Sequence, residues 1–363
     1  MNNVFIIAEA GVNHNGNIKI AKNMVDAAVD AGVDAIKFQS FKAEDLVINQ
    51  APKANYQLHN TLENETQYQM LKKLELSHDE QQQLYAYCQN KGIQFLSSPF
   101  DLKSCRFLIK TLGLKTLKLG SGELSNAQLL YYIASMNCNI ILSTGMSNLH
   151  DIEQALGVLA FAYTNPKENN PNSKRFKAAL DSANGIKALK QHISLLHCTT
   201  EYPCPFEDVN LDSINSLAKH FSLPIGYSDH TQGYHISLAA VAMGARIIEK
   251  HFTLDQNMAG PDHQSSIEPN ELKLMVKQIR DIEVAKGNSV KQICSSELKN
   301  RSIARKGIYA NGNISKGDIL TTDNIAVKRP ESKLSAQFYW EIIGKKANKN
   351  YHHEEPIDEK LKN

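Results

Sequence analysis

Residues 4–39 read VFIIAEAGVNHNGNIKIAKNMVDAAVDAGVDAIKFQ, and their pattern decides the fold. Two short β-rich apolar runs, VFIIAE (4–9) and DAIKFQ (34–39), flank the helical stretch IKIAKNMVDAAVDAG, which Gly32 closes. The same kind of run recurs as IQFLSS (93–98), KTLKLG (115–120), NIILST (139–144), ISLLHC (193–198), LPIGYS (223–228) and RIIEKHF (246–252). Eight such strands alternating with helical or loop segments predict an α/β fold, a parallel (β/α)8 barrel, with a doubly wound open sheet as the competitor. The polar residues favour the barrel. Each run ends in, or just before, groups able to do chemistry: Glu9, Lys37 with Gln39, Ser97 with Ser98, Lys118 with Ser121, Ser143, His197, Ser228 to His230, and Glu249 to His251. A barrel gathers these carboxyl ends at one mouth, whereas an open sheet would spread them along a crest.

At 363 residues the chain exceeds what one hydrophobic core usually supports. The barrel is expected over 1–285, a polar linker over 286–299, and a small second domain over 300–363. There, RSIARKGIYANGNISKGDILTTDNIAVKRPE supplies short strand-like pieces broken by Gly and Asn, ahead of the helix-like AQFYWEIIG. The polar stretch 163–185 reads as a surface excursion with a helix in its second half.

Hydrophobic content of 42% and charged content of 21% are ordinary, and no apolar run approaches the roughly 20 residues a membrane span needs. The N-terminus runs straight into a strand without the features of a secretory signal, which points to the cytoplasm. A formal charge of +2, with no long basic run, argues against nucleic acid. The six scattered cysteines form no CxxC pair and read as reduced thiols.

Two histidines stand at strand ends, His230 in GYSDHT and His251 in EKHF. Neutral imidazoles ligate Mn²⁺, Zn²⁺ or Fe²⁺, and a pair of them leaves coordination positions for a substrate oxygen; hydrogen-bonding pocket residues would look the same in sequence. Lys37 and Lys118 lie inside apolar strands, where an ammonium is costly unless paired. A bound phosphate and carboxylate, helped by Ser98, Ser121, Ser143 and Ser228, would satisfy both. A structural network with Glu9, Glu123 or Glu249 would do so too. Glu9 ends the first strand and can serve as base, as stabiliser of a developing cation, or as a lysine's partner.

Taken in order, IIAEAGVNHNG, AIKFQSF, LSSPFD, LKLGSGELSN, ILSTGM, LLHCTTEYP, IGYSDHT and IIEKHFTLD with GPDH closely resemble the sialic acid synthase family, which includes N-acetylneuraminate, N,N'-diacetyllegionaminate and pseudaminate synthases. Residues 300–350 resemble that family's C-terminal antifreeze-like (SAF) domain. The resemblance implies a (β/α)8 barrel followed by a β-clip SAF domain, and a domain-swapped homodimer in which the small domain of one subunit lids the barrel of the other. It implies that His230 and His251 hold a divalent metal, Mn²⁺ first, with Mg²⁺ or Co²⁺ as alternatives. Lys37, Ser98, Lys118, Ser121, Ser143 and Ser228 would bind phosphoenolpyruvate, with Lys37 and Lys118 counted catalytic alongside the essential carboxylate Glu9. Asp262, Glu123, Thr200 and Tyr202 would complete the substrate site, and Arg305 of the ARKG segment would reach the N-acetyl group from the partner subunit. Some members carry Asn where this chain has Thr200, and a Ser where it has Gly307. GSGELSN and the long insertion before LLHCTTEYP look like bacterial legionaminate-type members.

The implied reaction joins phosphoenolpyruvate to N-acetylmannosamine or to 2,4-diacetamido-2,4,6-trideoxymannose and releases phosphate; pseudaminate synthesis is the alternative within the family. Two readings from other classes are a Schiff-base aldolase working through Lys118 or Lys37, and a non-catalytic carbohydrate-binding protein.

Overall fold

The computed structural model describes residues 3–54, 57, 61, 65–168 and 170–362. Two compact units divide between Gly287 and Asn288.

In the first unit eight parallel strands form one sheet: β1 (Phe5–Gly11), β2 (Ala35–Ser40), β3 (Gln94–Pro99), β4 (Thr116–Leu119), β5 (Asn139–Ser143), β6 (Ile193–His197), β7 (Ile225–Asp229) and β8 (Ile247–His251). Hydrogen bonding runs in the order β3-β2-β1-β8-β7-β6-β5-β4, so the first strand pairs with the last. β3 and β4 lie side by side at the remaining seam. The wall is thus closed and the expected barrel is the fold; an open doubly wound sheet would leave β1 and β8 apart.

Strand alternation divides the wall into layers. Ile7, Ala35, Leu96, Ile141, Leu196 and Ile247 point inward and pack as an apolar plug. Two residues further along the same faces stand Glu9, Lys37, Ser98, Ser143 and Glu249, above the plug at the carboxyl end. The intervening residues, among them Ile6, Ala8, Ile36, Phe38, Leu117, Leu119 and Ile248, face outward into the main core beneath the helices.

The helix Ile18–Ala31 starts at Asn17, whose side chain accepts from the Lys19 and Ile20 N–H groups, and stops at Gly32 with φ +79°. Helix Ser173–Leu180 and the start of helix Ala183–His192 occupy the second half of the excursion 163–185 between β5 and β6. Among the described residues no helix is long and apolar enough to cross a membrane.

The second unit pairs β9 (Gly307–Ala310) antiparallel with β10 (Ile325–Lys328) around a small core of Ile308, Ile314, Leu320, Ile325, Ile342 and Tyr351. The polar stretch 286–299 runs into a helix, Ser295–Ala304. Glu297 accepts the Cys294 N–H at 3.0 Å and so caps a start that composition hid.

Candidate active site

Register brings the chemistry together. In β1, Glu9 pairs with Lys37 of β2 on one side and with His251 of β8 on the other, while Ser228 of β7 pairs with Glu249. After Glu9 the strand is irregular, and Gly11, at φ +51°, turns the chain away over the carboxylate. The barrel residues assigned to the site from the sequence line one cavity of about 360 Å³: Glu9, Lys37, Ser98, Lys118, Ser121, Glu123, Ser143, Thr200, Tyr202, Ser228, His230, His251 and Asp262. Three other strand-end groups do not: Ser97 bonds Ser40, His197 bonds the Val209 carbonyl, and Asp229 bonds Thr231 and Ser237. A larger cavity of about 730 Å³ lies alongside, sharing Ser121 and Gly122, but neither the paired lysines nor the two strand-end imidazoles line it.

The floor of the smaller cavity is a buried charge network. Lys37 Nζ lies 2.7 Å from Glu9 Oε2 and 3.7 Å from Glu249 Oε2, and donates to Ser98 Oγ at 3.2 Å. Lys118 Nζ donates to Ser143 Oγ at 2.8 Å and to the Leu119 carbonyl at 3.0 Å, and sits 3.4 Å from Glu249 Oε1. Ser228 donates to the same Glu249 oxygen at 2.9 Å. Glu249 is therefore the hub between the lysines. Sequence reading had it only as one of several partners, since nothing in IIEKHF separates a hub carboxylate from a peripheral one. Glu123 does not join the lysines; its carboxylate accepts from Asn126 at 2.7 Å.

Burial sets the protonation states. It pushes the Glu9 carboxyl up to about 7, with Lys37 opposing and Glu249 adding to the rise. Burial also works against the Glu249 carboxylate, but Lys118 and Lys37 overcome it and hold this group below the ordinary range. Lys37 is raised, since Glu249 and Glu9 outweigh desolvation, whereas Lys118 is lowered by burial. Asp262 is pushed up to about 6, again by burial.

Above this floor the His230 and His251 rings stand 5.4 Å apart at 66°, with the Tyr202 ring 4.2 Å from the first. Burial lowers His230 to about 4 and His251 well below its usual value, so both are neutral near pH 7. His230 Nδ1 bonds the Thr199 carbonyl at 2.6 Å, which makes it the protonated nitrogen and leaves Nε2, 3.3 Å from Ser228 Oγ, with its lone pair. His251 Nδ1 is buried without a hydrogen bond, 4.0 Å from Asp262 Oδ2. Two neutral imidazoles with unspent nitrogens suit a divalent ion. Among the described residues no group of three or more His, Cys, Asp or Glu forms a metal cluster, so such an ion would take its remaining ligands from water or substrate. Thr200 Oγ1 is likewise buried without a hydrogen bond, an unused polar capacity that a small polar ligand would satisfy.

The wall facing the mouth was not legible from sequence. Leu46, Val47, Met70, Leu71 and Leu74, from the helices Ala43–Leu46 and Gln67–Leu74 and the residue after the first, line an apolar side of the cavity. Arg305 belongs to the second unit, where it caps the helix Ser295–Ala304 and lies 3.5 Å from Glu331 Oε1.

The NeuB family profile matches residues 24–291 and that of the SAF domain residues 305–360. The N,N'-diacetyllegionaminic acid synthase of Campylobacter jejuni subsp. jejuni serotype O:2 is 49% identical over 359 residues, 99% of this chain and 100% of that protein. The protein of the same description from Legionella pneumophila subsp. pneumophila is 40% identical over 346 residues, 95% of this chain and 91% of its own. Among solved structures, the N-acetylneuraminic acid (sialic acid) synthetase of Leptospira borgpetersenii serovar Hardjo-bovis in complex with citrate superposes with a TM-score of 0.66. It is 33% identical and covers 82% of this chain and 90% of its own.

Proposed function

Since the chain belongs to the NeuB family, we propose that it is a phosphoenolpyruvate-dependent nonulosonic acid synthase whose acceptor is 2,4-diacetamido-2,4,6-trideoxymannose, yielding N,N'-diacetyllegionaminate and phosphate. The observation that carries this reading is the meeting of Lys37 and Lys118 with Glu9 and two neutral imidazoles in one buried cavity. The acceptor follows the two relatives described as N,N'-diacetyllegionaminic acid synthases.

In this mechanism Lys37 and Lys118, with the hydroxyls of Ser98 and Ser143, bind the phosphate and carboxylate of phosphoenolpyruvate and offset their charge. C3 of the enol attacks the aldehyde carbon of the open-chain sugar, leaving a cationic C2. Glu9, as carboxylate, stabilises that cation or takes a proton from the water that captures it, after which C–O cleavage releases phosphate. His230 and His251 would hold a divalent ion, Mn²⁺ or a similar metal, whose chemistry there is Lewis-acid polarisation of the aldehyde oxygen. The lids of this family reading come from a second copy, with Arg305 reaching the acceptor.

The deciding experiment is phosphate release from phosphoenolpyruvate with Mn²⁺, with the diacetamido sugar and N-acetylmannosamine in parallel. Turnover of the diacetamido sugar at least tenfold faster, about 1.4 kcal/mol of transition-state stabilisation, is expected. Preference for N-acetylmannosamine would make the protein an N-acetylneuraminate synthase instead. The lowering of the Lys118 pKa by burial favours one rival, a Schiff-base aldolase. Yet its nitrogen already serves Ser143, Leu119 and Glu249, and borohydride with pyruvate is expected to trap no adduct.

A further inference from the structure

We propose that the buried Asp229–Lys250 pair, on the outer face of the barrel wall, is a positioning device that fixes the His230 and His251 rings relative to one another; this rests on reading those imidazoles as ligands of a divalent ion.

Asp229 and Lys250 lie opposite each other in the β7–β8 register, with wholly inaccessible side chains 3.4 Å apart. Each is the sequence neighbour of one imidazole: Asp229 precedes His230, and Lys250 precedes His251. Strand alternation puts them on the side away from the cavity, so neither can touch a substrate.

Their hydrogen bonds converge on the turn that carries His230. Asp229 Oδ1 accepts from Thr231 N and from Thr231 Oγ1, each at 2.8 Å, and Oδ2 accepts from Ser237 Oγ at 2.6 Å. Lys250 donates to the Thr231 carbonyl. The peptide on the far side of His230 is thereby tied to the residue next to His251. The His230 carbonyl accepts from Cys204 N at 2.8 Å, and the His251 carbonyl from Ile267 N at 2.9 Å. Backbone and both flanking side chains thus fix the two main-chain positions from which the rings project.

Packing alone does not call for charge here. The neighbouring outward residues Ile248 and Phe252 are apolar, as are Ala240 and Val241 of the helix His235–Met243 that covers them. A buried ammonium and carboxylate cost several kcal/mol to desolvate, and an apolar pair of similar volume is often as stable. What an apolar pair lacks is direction. Groups that hydrogen-bond the second ring nitrogen of a metal-ligating imidazole are typically worth 10- to 100-fold in affinity; the Thr199 carbonyl does this for His230, and Asp229 and Lys250 act one step further back, through the Thr231 backbone.

The test is the double variant Asp229→Asn/Lys250→Met in the full chain. Asn keeps an oxygen for Thr231, the Ser237 hydroxyl can accept from its amide, and the charges leave together. Thermal melting and Mn²⁺ titration by electron paramagnetic resonance are the readouts, with His251→Ala as the control for the ion site. The expected result is a folded protein melting near wild type, Mn²⁺ affinity about 10-fold weaker, the low end for groups behind a metal ligand because the pair acts through Thr231, and a fall in kcat with KM for phosphoenolpyruvate little changed, since Lys37 and Lys118 are anchored separately. A folded double variant with wild-type Mn²⁺ affinity overturns the proposal while leaving the ion site intact. If the double variant does not fold, Ser237→Ala removes one support of Asp229 at small cost to the fold. Several-fold weaker Mn²⁺ binding there supports the device, and unchanged binding overturns it. A wild-type chain that binds no Mn²⁺ sinks both the ion site and this inference.

Discussion

Glu9 shows how one residue can be placed by sequence and yet have its chemistry set elsewhere. Its position at the end of β1 follows from strand period alone, but its carboxyl is drawn up to about 7 by burial, against Lys37 and with Glu249. If the reaction needs the carboxylate, kcat/KM rises with pH through about 7, and the acid limb belongs to Glu9. Removing the Glu249 charge removes one cause of the rise. In Glu249→Gln the limb is expected to move to lower pH, and a pH–rate profile with an unmoved limb would assign it to another group. Glu9→Gln should lower kcat by about 10²- to 10⁴-fold while KM for phosphoenolpyruvate changes little, a split read from initial rates. None of this could be taken from the peptide IIAEAG, because the carboxyl's environment comes from β2 and β8.

At the scale of the element, the end of β1 and the turn after it combine two constraints. Gly11 adopts φ +51°, and a Cβ there would lie 3.2 Å from Glu9 Oε1. Gly11→Ala is expected to cost about 1 kcal/mol or more of stability and to lower kcat as Glu9 is displaced; denaturant melts and rates check both. Three residues on, His14 is buried, accepts the Gly16 N–H at its Nδ1, and is held neutral with a pKa of about 4, burial being the main cause. The unfolded chain binds a proton here below about 6.5 that the folded chain does not bind until about 4. Stability therefore falls as pH falls through that window, by about 3 kcal/mol at most for this one group. His14→Asn, which keeps an acceptor without a titrating ring, should show a flatter decline from pH 6.5 to 4 in thermal melts. A slope equal to wild type would place the acid sensitivity elsewhere.

On the scale of the whole molecule, the chain forms two compact units divided after Gly287, and the helix Ser295–Ala304 belongs to the second. If a second copy supplies the lid, chains carrying Arg305→Ala and chains carrying His251→Ala are each inactive alone but complement one another. Half of the dimers formed from an equal mixture are hybrids, each with one complete site, so about a quarter of wild-type activity is expected. Co-purified hybrids without activity would assign Arg305 to its own chain's barrel.

The sequence by itself determined the alternation of strands and helices, the strand ends that carry Glu9, Lys37, Lys118, His230 and His251, and the turn to a second unit, because hydrophobic period and local punctuation are written residue by residue. Only the tertiary structure decided that Glu249 lies between both lysines, that the two imidazoles are neutral and adjacent, and that Asp229 and Lys250 pair on the opposite face of the same two strands. Those facts depend on strand register and on burial, which arise when segments more than two hundred residues apart in the chain close into one wall and water is excluded from its mouth.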